Sequence, residues 1–322
     1  MLDKYPENVK AIQLLQESRG FKEVTPENKK QVVEFHNEVV QKYPNSQAAK
    51  RNRLRFLDGE EFRQRFDEYL RPFYIKGLPS VFIDVRELLN DAEKAKIIED
   101  LCVKHSQSLE EKNTFFGSDQ QENPCCVLWS YLFLAGYFNW KEDFNRAMQY
   151  IEKAIDHTPT LIELYTMKAK IFKNCYNYKL AGETADKARL MDFADRYPNN
   201  LTVKYKIRNG EIEAGDALLK TFIRDSSDAN IHELQYMWYE TELGNAHLKL
   251  KQFGPGFRQF KFIEKHFQDF YEDQVYFVIL SFEKLTFPCS LISTLIALEN
   301  TILELMLILS ERKMIFTIIN GT

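Results

Sequence analysis

The 322-residue sequence predicts an all-α fold, a solenoid of paired helices, and three observations carry that prediction. The stretch Leu128 to Phe193 contains one pattern twice: Tyr131, Ala135, Phe138, Ala147 and Ala154 recur 34 positions later as Tyr165, Ala169, Phe172, Ala181 and Ala188. The recurring alanines are small where two antiparallel helices must approach closely, and the aromatic residues fill the seam. Elsewhere apolar residues recur at helical spacing, with capping residues, proline and glycine as the punctuation.

A repeat near 34 residues, with a large residue, a small one, an aromatic and then two alanines on a second helix, is the tetratricopeptide pattern. Pro159 stands where that pattern places its proline. One hairpin cannot bury its apolar face alone, so helical repeats are expected on both sides. The reading is degenerate helical repeats over residues 1–127, a tetratricopeptide repeat at 128–161, a second at 162–195, degenerate repeats over 196–275 and an apolar helical tail over 276–322.

In chain order, residues 1–57 read as the interior of an array that starts within a helix, so upstream repeats are expected. Thr25-Pro26 reads as a helix start, a capping threonine followed by proline at the first helical position. That helix runs through Val32, Val33, Phe35, Val39 and Val40 to Tyr43-Pro44. The basic run Lys50, Arg51, Arg53 and Arg55 fits a solvated connector or a phosphate or partner contact. Phe62, Phe66, Tyr69 and Leu70 form the next apolar face, with an expected end at Pro72 and a turn at Gly77-Leu78-Pro79. Val81, Val85 and Leu88 open another stripe, and Asp91 caps a helix carrying Ile97, Ile98, Leu101 and His105. Residues 113–124 are the clearest loop. Beyond the second repeat, Leu201, Tyr205 and Ala217 suggest a third unit turning at Asn209-Gly210. Leu243, Gly244, His247, Phe253, Gly256 and Phe260 suggest a fourth. Leu285 to Leu298 carries no charge, and the tail reads either as buried helix pairs or as a truncated, aberrant end.

Composition narrows the function. A formal charge of -4 gives no global affinity for nucleic acid. The five cysteines form no CxxC pair, and neither a signal core nor eighteen uncharged apolar residues in a row occur. The expectation is a cytoplasmic protein with reduced thiols and neither a membrane nor a sequence-specific nucleic-acid partner. The six histidines are scattered, without HExxH, GxSxG or a Walker loop, so no catalytic residue and no metal ligand is assigned. Lys251 to Gly256 is a near miss to the Arg/Gln-x-x-Gly-x-Gly/Ala loop that cradles acetyl-CoA. Pro255 removes one of the required N–H groups, and Leu243 to Leu250 reads as helix where that loop needs a strand. An inter-helix turn is the expected form. Lys168, Lys170, Lys173 and Lys179, with Arg196, Lys204, Lys206 and Arg208 one repeat later, could share a groove wall. Such a set would suit a compact polyphosphate, or form a hydrated face.

The run Asp156-His157-Thr158-Pro159-Thr160-Leu161-Ile162-Glu163-Leu164-Tyr165, continuing into Lys168-Ala169-Lys170-Ile171-Phe172-Lys173, is more specific than a generic repeat. It resembles the auxiliary, ribosome-anchoring subunit of the NatA N-terminal acetyltransferase. Tyr69 to Phe73, Lys76 to Phe82, Leu190 to Tyr197 and Met237 to Glu242 agree in the same order, as do Ala48 to Arg51 and Leu57 to Glu60. The likeness covers about residues 1 to 275, thins after Asp273-Gln274 and is gone by about Asn300. It corresponds to the middle of a longer family member, so the chain reads as a central fragment.

The resemblance implies a non-catalytic scaffold that binds and positions the catalytic subunit for co-translational N-alpha-acetylation of nascent chains. Acetyl-CoA would then bind only to that partner, and ribosome contact would run through parts absent here. It also implies inositol hexakisphosphate as a structural ligand at the subunit junction. Carried over by position, Lys170 and Lys173 match best, then Lys204, with Lys168, Arg196 and Lys206 as further candidates. Two other readings stand beside it: a self-sufficient acetyltransferase using the Gly254 to Gly256 turn, and a generic tetratricopeptide adaptor holding a partner peptide in its groove.

Overall fold

The computed structural model describes residue 2, residues 4–223, residue 234 and residues 236–273. The tail expected over 276–322 lies outside the described residues. Among the described residues the regular structure is helical, apart from an isolated bridge between Thr114 and Gln121. None of those helices is long and apolar enough to cross a membrane. The chain divides into two compact units, Met1–Tyr205 and Lys206–Thr322.

In the first unit, α1 (Val9–Ser18) starts at Asn8, whose side chain accepts from the Ala11 N–H at 3.0 Å. A polar cap thus stands where the sequence reading had the chain already inside a helix. The second helix, α2, spans Lys29–Lys42, three residues later than Thr25-Pro26 suggested. Thr25 and Asn28 bind each other's backbone N–H, and this turn occupies the place of the expected first helical turn. Helix α3 (Gln47–Leu54) is anchored at its N-terminus by Glu7, whose carboxylate accepts from the Gln47 and Ala48 N–H groups at 3.0 and 2.9 Å.

Helix α4 (Gly59–Lys76) runs through Pro72 instead of stopping there. Proline removes one hydrogen bond, but Phe73 and Tyr74 beyond it are buried, and their burial favours continuing the helix. The stop is Gly77, at φ +68°, where an added Cβ would lie 2.9 Å from the Trp129 indole nitrogen. A short helix α5 (Val81–Val85) and a 3-10 turn (Arg86–Asn90) bury Val81, Val85 and Leu88. Asp91 then caps α6 (Ala92–Lys112), as the sequence suggested. The basic run on and after α3 proves largely structural: Arg51 pairs with Asp84 at 3.2 Å, and Arg55 pairs with Glu87.

The two clean repeats form successive hairpins, α7 (Cys125–Trp140) with α8 (Phe144–His157), then α9 (Ile162–Asn174) with α10 (Tyr178–Met191). Ala135, Ala147, Ala154, Ala169, Ala181 and Ala188 are all at 0% exposure. Helix α7 is buried around most of its circumference and forms the centre of the main core. Each hairpin turn places one residue in the left-handed region, Glu142 (φ 63°) and Tyr176 (φ 59°), and 34 residues on Gly210 (φ 89°) does the same. The next residue caps the second helix: Asp143 accepts from Arg146 N–H, and Asn177 from Leu180 N–H, both at 3.1 Å. Glu99 joins α6 to the first hairpin by accepting from Tyr137, Lys141 and Arg146 at 2.9, 2.7 and 3.1 Å. Helix α11 (Arg196–Arg208) seats Tyr205 and Leu201 against Ala169, Ala181 and Ala185.

The second unit contains the end of α11, α12 (Ile212–Lys220), α13 (Met237–Lys249) and α14 (Phe253–Asp273). The small buried residue on α12 is Gly215, not the expected Ala217, which is exposed. Gly215 stands 34 residues after Ala181, so the period continues and the substitution of glycine for alanine hides it. Gly244 lets α13 meet α14, since a Cβ there would lie 2.8 Å from the Phe260 ring.

Two predictions follow from this packing. His36 is at 0% exposure, with Nε2 against Gln16 Oε1 at 3.0 Å. Burial, and then the Arg55 and Arg53 guanidiniums, lower it from 6.5 to about 4. The folded chain therefore holds it neutral, and stability is complete above the ordinary histidine value and lost as pH falls from about 6.5 towards 4. The loss approaches roughly 3 kcal/mol. Urea unfolding at pH 7.5 and 4.5 should show a larger drop for the native chain than for His36→Leu; equal drops would contradict the assignment. Gly77→Ala should destabilise the first unit by about 1–3 kcal/mol, through left-handed strain and the clash with Trp129. A thermal midpoint unchanged in that variant would contradict the packing.

Candidate functional site

The cations named from sequence fall on three helices. On α9, Leu164, Ala169 and Ile171 turn into the core, which leaves Lys170 exposed and Lys173 half-buried, one turn apart. Lys168 is occupied: its ammonium lies 3.1 Å from Glu152 on α8. Arg196 is the exposed first residue of α11, and Lys204 is half-buried beside Tyr205, which packs towards α9 and α10. Lys206 belongs to the second unit, where it pairs with Glu211 at 3.0 Å. Arg208, in the same unit, makes a two-pronged pair with Glu242 at 2.6 and 2.7 Å. Within the first unit Lys170 and Lys173 lie on α9, and Lys204 lies on α11, whose Tyr205 packs with Ala169 of α9.

Lys170 stands apart electrostatically. Desolvation by the surrounding helices, and then the Arg86 guanidinium, hold its ammonium below the ordinary lysine value. Arg86 was not singled out from the sequence. It lies 84 positions upstream, and nothing in the repeat pattern points to it.

A second surface also escaped the sequence reading. Leu190, Met191, Phe193 and Tyr197 are 51, 43, 65 and 64% exposed, a concentration of large apolar side chains within eight residues. Asp192 and Asp195 fix the connection between α10 and α11 by accepting from the Ala194 and Tyr197 N–H groups, each at 2.8 Å. The Arg189 guanidinium, paired with Asp186 at 2.7 Å, lies 5.6 Å from the centre of the Phe193 ring. Exposed apolar clusters with a charged rim mark protein-binding surfaces. The signal in the sequence was faint because these residues obey helical spacing as core residues do.

The acetyl-CoA reading of Gly254 to Gly256 is overturned. These residues form the first turn of α14, preceded by helix α13 and not by a strand. Gly256 serves helix packing, since a Cβ there would lie 3.3 Å from the Gly244 carbonyl oxygen. The histidines have local partners: His105 lies 2.7 Å from Asp67 and accepts the Phe116 N–H, His266 lies 3.0 Å from Glu240, and His247 lies 2.8 Å from Gln252. His232 lies outside the described residues. Among the described residues no group of three His, Cys, Asp or Glu side chains could hold a metal ion.

Comparison with known proteins bears on the family and the fold. A family profile described as "N-terminal acetyltransferase A, auxiliary subunit" matches residues 1–305. The Arabidopsis thaliana N-terminal acetyltransferase A complex auxiliary subunit NAA15 is 32% identical over 291 residues, covering 89% of this chain and 32% of that protein. The Homo sapiens N-alpha-acetyltransferase 16, NatA auxiliary subunit, is 34% identical over 258 residues, covering 79% of this chain and 30% of that protein. The solved structure of Naa15/Naa10 bound to HypK-THB superposes with a TM-score of 0.72 at 28% identity, covering 84% of this chain and 41% of the matched one. The chain thus spans about a third of the length of these curated relatives. On the strength of the profile match, this helical-hairpin solenoid belongs to the N-terminal acetyltransferase A auxiliary subunit family.

Proposed function

We propose that this chain is a non-catalytic scaffold that binds the catalytic subunit of a NatA-type N-terminal acetyltransferase and positions it for co-translational N-alpha-acetylation in the cytoplasm. The observation that carries the reading is the likeness to the Naa15 structure solved with Naa10, which extends over 84% of this chain. Two features of the first unit supply what a scaffold needs. The exposed Leu190, Met191, Phe193 and Tyr197 give a partner an apolar anchor, and a fixed helical frame holds that anchor before binding. Lys170 and Lys173, with Lys204, form an anion-binding surface, and inositol hexakisphosphate is its proposed structural ligand. Lys168, Arg196 and Lys206 are subsidiary, because Lys168 and Lys206 already pair with glutamates. Acetyl-CoA and the chemistry belong to the partner, and ribosome docking is part of the same proposed role.

Co-expression with a NatA catalytic subunit should yield a complex that survives gel filtration. The purified chain alone should transfer no acetyl group from acetyl-CoA to a peptide amine. Absence of a complex, or acetyl transfer by the chain alone, would contradict the proposal. Phe193→Asp with Tyr197→Asp should weaken the complex at least roughly tenfold, about 1.4 kcal/mol, while leaving the helical circular-dichroism signal intact. Calorimetry should show Lys170→Glu with Lys173→Glu weakening inositol hexakisphosphate binding by more than roughly tenfold. Unchanged affinity in that double variant would remove these lysines from the site.

A further inference from the structure

The loop between α6 and α7 contains a tight turn, Phe115 to Ser118, that two side chains from the helices beneath it hold in place. The Ser118 N–H donates to the Phe115 carbonyl at 3.0 Å, and Gly117 takes φ +77°, the left-handed conformation that the third position of a type II turn requires. Such a turn does not itself satisfy the N–H and carbonyl of its second residue, Phe116. Here His105 of α6 accepts the Phe116 N–H at Nδ1, at 3.1 Å, and Arg71 of α4 donates to the Phe116 carbonyl at 3.2 Å. Phe115 is buried against the Tyr74 and His105 rings, whereas the Phe116 side chain is left at the surface.

One carboxylate joins the two side chains. Asp67 of α4 accepts from Arg71 through two bonds, at 2.8 and 2.6 Å, and lies 2.7 Å from His105 Nε2. Burial works against the Asp67 charge, but hydrogen bonds from His105 and then Arg71 outweigh it and hold the carboxyl below its ordinary value. An ionised carboxylate only accepts, so Nε2 carries the imidazole proton and Nδ1 offers its lone pair to Phe116. The ring is at 0% exposure, and its neutral form uses both nitrogens. Around it, burial pushes the Tyr74 hydroxyl of α4 and the Cys102 thiol of α6 up, so both stay neutral. Lys104 of α6 pairs with Asp100 at 2.9 Å and lies 5.4 Å from the centre of the Phe116 ring. Tyr131 of α7 faces Glu110, further along α6.

We propose that His105 makes this turn a proton-sensitive clasp: a proton taken up at Nδ1 converts the acceptor of the Phe116 N–H into a second donor and releases the turn from α6. Donor then faces donor, and the Phe116 N–H loses this buried acceptor. Asp67 supplies the drive, because its negative charge favours the imidazolium that breaks the bond. The clasp is closed while the imidazole is neutral and opens as pH falls through the range in which histidine gains its charge, from about pH 8 to about pH 5. The bridge between Thr114 and Gln121 does not involve the imidazole, so the release is local. It frees a surface aromatic residue from a fixed position, which makes the presentation of Phe116 depend on pH.

Amide exchange of the full chain, read by NMR at about pH 7.5 and about pH 5 and corrected for the intrinsic rate, tests the clasp. The protection factor of the Phe116 amide should fall roughly tenfold or more at the lower pH, while amides in the middle of α7 keep theirs. His105→Gln places a donor and an acceptor on one carbon, as the neutral ring does, but does not titrate, so its Phe116 protection should be the same at both pH values. Nitrogen NMR of the native imidazole adds a readout that needs no variant: at the higher pH, His105 should carry its proton on Nε2 alone. The clasp is overturned by Phe116 protection that does not change with pH in the native chain, or by an equal loss throughout α7. A proton on Nδ1 at the higher pH, or the same acid-induced loss in His105→Gln, would overturn it as well.

Discussion

Close approach of paired helices is the constraint on which the rest of the structure depends. Alanine at positions 135, 147 and 154, and again at 169, 181 and 188, removes the side-chain bulk that would hold the helices apart, and every one of these residues is fully buried. Large residues then interdigitate from either side, as Tyr131, Phe138 and Tyr150 do in the first hairpin. A side chain even one methylene larger at the crossing would be felt directly, because such interiors have almost no free volume. The second unit meets the same requirement with glycine, at Gly244 and Gly256, where the backbones of α13 and α14 come closest.

The turns repeat as faithfully as the crossings. A left-handed residue at 142, 176 and 210 ends each first helix, and the C-terminal helix carbonyls are closed by the N–H groups that follow. At 142 and 176 that residue is glutamate and tyrosine, which are less suited to positive φ than the glycine at 210. The geometry persists because the helices on either side are already locked by their packing. A frame held in this way presents its surface side chains in fixed positions, among them Lys170 and the exposed apolar segment around Phe193. The chain carries a formal charge of -4, and acids pair with several of its cations, Asp84 with Arg51, Glu87 with Arg55 and Glu152 with Lys168.

The helical architecture and the period were legible in the sequence because they are written in residue size, and alanine at the crossings has few competing explanations. Other features were not. Pro72 looks like a terminator on local grounds, and only the burial of Phe73 and Tyr74 beyond it shows why the helix continues. The third repeat carries glycine at 215 where alanine was sought, so its small residue was placed at Ala217 instead. Lys170 could be named because it sits inside the most recognisable segment. Arg86 could not, since its electrostatic influence on Lys170 links residues 84 positions apart. The exposed run around Phe193 reads as core by its spacing, and only the structure reveals that it lies exposed.

Amide hydrogen exchange on the purified chain, resolved to single residues, tests the repeating hairpin directly. The account predicts protected amides through the interiors of α7, α8, α9 and α10, interrupted by faster exchange in the first turn of each second helix, at residues 144–145 and again 34 residues later at 178–179. Protection running unbroken through either turn, or absent from the helices on both sides of it, would contradict paired helices stacked at a constant interval.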